Sequence, residues 1–293
     1  MQTYDSLNEA WIDIVGHCAR GGDFLESRDG PCFELVGQSF KLNDARNSVL
    51  TVPERNMSLP YAAAETLWYF SGESKIDRLL PYAPSYSRFA DPKTNEAHGA
   101  YGNRWQNDHA FLVAKAQRKV VSPSQVAAAI SLLQGQPNTR QCVISMWNAA
   151  DLVHAMSREV PDIPCTVCVQ LVLRKDKLHA VTYMRSNDVW LGMPYDVYAF
   201  TVLQSVVAAH LRVEVGSYTH NVGSLHLYAR HADRCLELTD VRPGRLRESG
   251  GWDSMQLAVE IEEKIRLGEK VYIPSVLGGL EKDMLEACWE KLC

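Results

Sequence analysis

The sequence predicts an α+β fold in a single domain over residues 1–293, and three observations carry that expectation. Segments that alternate every two residues are interleaved with segments of helical period, without the regular strand–helix–strand rhythm of a parallel sheet. Residues 168–184 read as a β-hairpin, and the apolar stretch at 194–211 is too long for a strand and long enough for a helix. Of 293 residues, 46% are hydrophobic and 22% charged, and no repeat, low-complexity tract or linker divides the chain.

The elements follow in order. Leu7–Cys18 is an amphipathic helix with Trp11, Ile14, Val15 and Cys18 on one face, ended by Gly21-Gly22. Phe33–Leu42 alternates weakly and reads as a strand. Tyr61–Phe70 reads as a buried helix carrying one carboxylate, Glu65, with Gly72 as its stop. Ser122-Pro123 has the form of an N-cap followed by proline at the first helical position, opening a helix through Val126, Ile130 and Leu133. Gln141–Trp147 reads as a strand. Cys168–Arg174 and Leu178–Met184 form the hairpin around a turn at Lys175-Asp176-Lys177. Pro194–Leu211 is placed as a central helix and Asn221–Tyr228 as a further strand. Asp253-Ser254 is read as the cap of a helix ending near Gly268, with Leu257, Ile261 and Ile265 inward, and Glu281–Cys293 as a short terminal helix.

The formal net charge is −5 and no block of like charges is present, which argues against a polymeric nucleic-acid partner while leaving room for a pocket that binds one phosphate. No signal-peptide pattern opens the chain, and stretches such as Val202–Leu211 are too short to span a membrane. The eight cysteines are irregularly spaced, so reduced thiols and a cytoplasmic setting are expected. Cys165-Thr166-Val167-Cys168 has CxxC spacing but no second ligand pair, so no metal is expected. The residues after it read as a strand, unlike the helix that follows a thioredoxin-type CxxC.

Several residues have both a chemical and an ordinary reading. Cys165 is either an inert buried thiol or a nucleophile. Glu65 either faces water or is a buried carboxylate with a raised pKa. Arg140, Arg185 and Ser186 are surface groups or, together, a phosphate clamp, since guanidinium forks and hydroxyls match phosphate oxygens. His226 and Tyr228 share a strand face and are either a structural pair satisfied by backbone groups or the holders of a sugar hydroxyl. Asp196, soon after Pro194, is a helix N-cap or a carboxylate that reads a base. No P-loop or Rossmann glycine pattern is present.

Taken in order, several blocks resemble thymidylate synthases. They are Glu65-Thr-Leu-Trp-Tyr-Phe-Ser-Gly72, Ala100-Tyr-Gly-Asn-Arg-Trp105, Arg140-Gln-Cys-Val-Ile-Ser-Met-Trp-Asn148, Pro164-Cys165, Arg185-Ser-Asn-Asp188, Gly192-Met-Pro194 and Gly223-Ser-Leu-His-Leu-Tyr228. Met184–Asp188 and Asn221–Tyr228 look most like the deoxycytidylate hydroxymethylases of bacteriophages, which carry aspartate at the place of Asp196 where thymidylate synthases carry asparagine. The swap has a physical reason. An amide answers the N3–H donor and O4 acceptor of uracil, whereas a carboxyl group can accept from the 4-amino group of cytosine and, when protonated, donate to N3.

The resemblance implies a mixed twisted sheet packed by helices, and a sheet-to-sheet homodimer. It also implies 5-hydroxymethylation of a cytidine nucleotide with 5,10-methylenetetrahydrofolate as co-substrate, dCMP being favoured over CMP. Cys165 would be the nucleophile, Glu65 the general acid/base and Asp196 the base reader. Arg28, Arg185, Ser186 and Arg140 of the other subunit would hold phosphate, His226 and Tyr228 the 3′-hydroxyl, and Asp188 the pterin, with Trp68 flanking that pocket. The rival readings are CMP hydroxymethylation as in nucleoside-antibiotic pathways, thymidylate synthesis on dUMP, and a non-catalytic homologue that binds nucleotide or RNA. The chain departs from the family at Gln141, where a second cross-subunit arginine is usual. It also lacks the tryptophans expected within Leu79–Phe89, and its tail Trp289–Cys293 is atypical.

Overall fold

The computed structural model describes residues 1–107, 124–157, 160–235 and 237–292. A seven-stranded mixed sheet is packed by helices, the α+β arrangement expected. Its order is β1(Gln2–Tyr4), β3(Gly30–Leu42), β7(Glu214–Tyr228), β6(Lys177–Asp188), β5(Thr166–Arg174) and β4(Val143–Ser145), with β2(Asp23–Ser27) pairing antiparallel with β3. Two pairings, β1 with β3 and β6 with β7, are parallel, and the others are antiparallel.

This topology gathers the chemistry at one end of the sheet. β6 and β7 run together, so their C-terminal ends meet, Asp188 opposite His226. β5 runs against β6, so the start of β5, just after Cys165, lies beside Met184 in the C-terminal half of β6. The hairpin between them closes in two residues, Lys175 and Asp176, both left-handed (φ 51° and 56°), as the twist of a tight hairpin requires. The turn is thus one residue shorter than read from sequence, and Lys177 already pairs with Arg174.

The helices are α1(Leu7–Gly21), α2(Leu59–Ser71), α3(Tyr101–Asn107), α4(Gln125–Gly135), α5(Ala149–Ser157), α6(Met193–Leu211), α7(Ala229–Ala232), α8(Trp252–Arg266) and α9(Gly279–Leu292). α6 is central: apolar all round, it lies against β6, β7 and α2. α2 starts at a Ser58 cap whose Oγ accepts from Tyr61 N, and it stops at left-handed Gly72 (φ 76°). Its outer side is covered by α8 and α9, whose Met255, Ala258, Met284, Leu285 and Cys288 are buried. A buried ion pair between Arg78 and Glu262 joins α8 to the turn after α2, with Glu73 and Tyr82 as further partners. Removing one member of such a pair costs about 3–5 kcal/mol, because the other charge stays buried.

Three boundaries and one buried position differ from expectation. Ser124 caps α4, its Oγ accepting from Ala127 N at 3.0 Å, while Ser122-Pro123 lies outside the described residues. β4 is confined to Val143–Ser145, because Met146 and Trp147 both donate to Val167 O and break the ladder. α8 begins after Gly251 (φ 88°), so Asp253 and Ser254 sit within its first turn; its Leu257 is half-buried, with Ile261 and Ile265 inward. On α1, Ile14 is half-buried while Trp11, Val15 and Cys18 are fully enclosed. Among the described residues no helix is long and apolar enough to cross a membrane.

Candidate active site

Cys165 sits half-buried immediately before β5. Arg185, on the neighbouring strand, holds its loop. Its backbone N–H donates to Cys165 O (2.8 Å), its Nε to Pro164 O (3.0 Å) and its Nη2 to Ile163 O (2.9 Å). The same Nη2 lies 3.7 Å from Cys165 Sγ, and the guanidinium stands 5.5 Å over the Trp147 ring. Burial pushes the thiol up to about 11, the Arg185 and Arg28 charges pull it back, and Asp196 and Asp162 oppose them. The resting group is therefore a thiol at neutral pH, and its activation needs a proton acceptor or added positive charge.

Glu65 lies inside α2 and is only 7% exposed, so the buried reading of this carboxylate is the correct one. Tyr61, one turn earlier, donates its hydroxyl to Glu65 Oε1 at 2.5 Å. Burial lifts the Glu65 carboxyl to about 7, against the lowering effect of the Tyr61 and Tyr69 hydroxyls. At that value it can take and return a proton near neutral pH. Tyr86, half-buried, packs edge-on against Trp68 with ring centres 5.7 Å apart and 5.3 Å from the Phe89 ring. Trp68 itself is fully enclosed, its indole N–H on Lys75 O, so any contribution it makes to a pocket passes through Tyr86.

Asp196 is not a helix cap. Gly192 occupies the N-cap of α6, and Asp196 N donates to Gly192 O (3.0 Å) as an ordinary first-turn residue. Its Oδ2 accepts from Asn187 Nδ2 at 2.7 Å. Burial, then the charge of Glu65, raises its pKa well above the usual carboxylate range. Behind it, Asn187 Oδ1 is 2.9 Å from His220 Nε2, and His220 Nδ1 is 2.8 Å from Tyr218 Oη. Tyr195 joins the two carboxylate-bearing helices: its hydroxyl accepts from Ser58 N (3.1 Å), and its ring meets Tyr61 edge-on at 4.8 Å.

Asp188, at the end of β6, receives Trp190 N (2.8 Å) and Leu191 N (3.0 Å) on Oδ1, while Oδ2 takes no hydrogen bond among the described residues. His226 and Tyr228 are indeed neighbours on β7, their rings perpendicular at 5.2 Å, with Arg230 4.0 Å over Tyr228. The remaining phosphate candidates are open. Arg28 is 80% exposed beside Asp29 (3.5 Å), Arg140 is exposed with no described side-chain partner, and the Ser186 hydroxyl is likewise unengaged among the described residues. No group of three or more metal-ligating side chains converges among the described residues.

Sequence reasoning missed Asn187, His220, Tyr218, Tyr61 and Tyr86 as site residues. Asn187 was visible as the unassigned member of the Arg185–Asp188 run, and Tyr61 as a hydroxyl one helical turn from Glu65. His220 and Tyr218 carried no such local signal.

This end of the sheet joins a cysteine, two carboxylates of raised pKa and the Arg185 guanidinium, the equipment of a group-transferring enzyme. The family model for thymidylate synthase matches residues 9–247, most of the chain, and the protein belongs to the thymidylate synthase family. It is accordingly a one-carbon transferase of folate-dependent chemistry on a pyrimidine nucleotide, with methylenetetrahydrofolate as co-substrate. α8 and α9 lie beyond the matched residues.

Proposed function

We propose that the protein hydroxymethylates C5 of a cytidine nucleotide, converting dCMP, in preference to CMP, with methylenetetrahydrofolate and water to the 5-hydroxymethyl nucleotide and tetrahydrofolate. The observation that carries this reading is Asp196. A carboxyl of raised pKa stands where thymidylate synthases place a base-reading asparagine, and a protonated carboxyl can match both N3 and the 4-amino group of cytosine. Uracil offers the opposite pattern, and a mismatch leaves buried polar groups unpaired.

In this reading Cys165 Sγ, once deprotonated, bonds to C6, and the displaced electron pair makes C5 nucleophilic. Bound methylenetetrahydrofolate supplies a one-carbon unit at the oxidation level of formaldehyde. Glu65, poised near 7, accepts the C5 proton through water and returns a proton as acid. Water adds to the methylene left on C5, and departure of Cys165 restores the aromatic ring. Arg28, Arg185 and Ser186 bind phosphate, and His226 with Tyr228 binds the 3′-hydroxyl. The chain's residues fit the folate: Asp188 keeps one carboxylate oxygen open for pterin N–H donors, and Tyr86, braced by Trp68, offers an aromatic wall.

We further propose a homodimer through the sheet, with Arg140 given to the partner's phosphate. The exposed Arg140 supports this, as do Val143 and Tyr183, 47% and 45% exposed on one face of the sheet, since Val143 aligns with Gln170 and Val181.

The test is to incubate the enzyme and methylenetetrahydrofolate with dCMP, CMP and dUMP separately and identify both products. Hydroxymethylated dCMP with tetrahydrofolate is expected. Thymidylate with dihydrofolate from dUMP would overturn the reading, faster turnover of CMP would correct the sugar, and no turnover of any nucleotide would leave a binding protein.

A further inference from the structure

Asn187 belongs to the Met184–Asp188 run, yet the reaction above gives it no task. A protonated carboxyl alone cannot choose between bases. With its proton on the oxygen facing N3 it matches cytosine; with the proton on the oxygen facing the 4-substituent it matches uracil. A site that reads cytosine with a neutral aspartic acid must therefore fix which oxygen holds the proton.

A buried hydrogen-bond chain ends on one of those two oxygens. Tyr218, His220, Asn187 and Asp196 form one chain, with separations of 2.8, 2.9 and 2.7 Å. Tyr218 and His220 are fully buried and Asn187 is 4% exposed. Burial drives the His220 pKa down to about 3, so the ring is neutral and offers one donor and one acceptor. An Asn187 amide that donates through Nδ2 to Asp196 turns Oδ1 to His220, which must then carry its proton on Nε2 and accept from Tyr218 on Nδ1. The reversed chain needs a proton on Asp196 Oδ2 and fails whenever Asp196 ionises. The forward chain serves both protonation states of Asp196 without flipping any group.

We propose that Asn187, held by His220, is a specificity-determining positioning residue: its donation to Oδ2 confines the Asp196 proton to Oδ1, so that the carboxyl reads cytosine and rejects uracil. The inference rests on the proposed reaction and deepens it. It assigns Oδ1 to N3 and Oδ2, already accepting from Asn187, to the 4-amino group.

Two measurements test it. The first is the ratio of kcat/KM for dCMP over dUMP in His220→Phe and His220→Gln, the latter placing an amide N–H near the position of Nε2. Discrimination is expected to fall about 10-fold or more in the phenylalanine variant and to recover in the glutamine variant. A folded His220→Phe with undiminished discrimination would overturn the proposal. The second needs no turnover and no variant: ¹⁵N NMR of the histidines in substrate-free enzyme. Nε2–H on a buried imidazole that does not titrate between pH 5 and 8 is expected; the Nδ1–H tautomer would overturn the chain. Failure of wild-type enzyme to convert dCMP counts against the reaction itself, whereas the tautomer result scores the chain alone.

Discussion

The groups proposed to read the base and those proposed to hold the phosphate are built on different plans. Around Asp196 the polar groups are paired before any substrate arrives: Asn187 on Oδ2, His220 behind it, Tyr218 behind that. Of the arginines proposed for phosphate, Arg28 and Arg140 reach into solvent, and Arg185 directs its guanidinium to the carbonyls of Ile163 and Pro164. A prepaid hydrogen-bond pattern gives selectivity, because a wrong base meets groups that cannot turn to suit it. Open cations give attraction with little selectivity, and they order only when an anion or a partner subunit supplies the missing contacts.

That contrast can be broken most directly at Asp196. Asp196→Asn is expected to shift preference from dCMP toward dUMP by about 10³-fold, ~4 kcal/mol, measured as the ratio of kcat/KM values. An unchanged ratio would remove Asp196 from base reading.

A smaller effect is expected at Tyr61, whose hydrogen bond holds Glu65 below the value that burial alone would set. Tyr61→Phe raises the Glu65 pKa above about 7, so the ionised form appears later as pH rises. The acid limb of the kcat profile should move to higher pH by up to about one unit, the worth of one hydrogen bond. A limb that stays in place would show that Glu65 is not the titrating group.

The phosphate end should respond least and in a different parameter. Arg140→Gln is expected to raise the nucleotide KM about 10-fold with little change in kcat, because a solvent-exposed cation contributes binding more than chemistry. Mixing it with Cys165→Ser protein should regenerate low-KM activity only if Arg140 serves the partner's site; no recovery would place the residue in its own.

The sequence was most legible where one segment decides its own structure. The α2 helix, its Gly72 stop, the hairpin around Lys175 and the long α6 all follow from periodicity and turn chemistry. Caps were less legible: the sequence pointed to Ser122 and Asp253, and the helices are capped at Ser124 and Gly251. Cys165, Glu65 and Asp196 could be picked out because family blocks surround them. The chain from Tyr218 to Asp196 could not, since its members come from β7, β6 and α6 and meet only after parallel pairing sets Met184 beside Val222. Arg185 was legible as a cation, but its grip on the Cys165 loop depends on backbone carbonyls that no side-chain pattern announces.

The placement of α8 and α9 bears on how the protein is made. α2 ends at Ser71, and its outer surface is sealed by residues that begin at Trp252 and continue to Leu292. As the chain leaves a ribosome, the helix bearing Glu65 emerges early and waits for most of the remaining polypeptide before that surface is covered. Its Phe70, whose ring meets Trp252 of α8 at 5.8 Å in the finished molecule, stays uncovered on that side until α8 has been made.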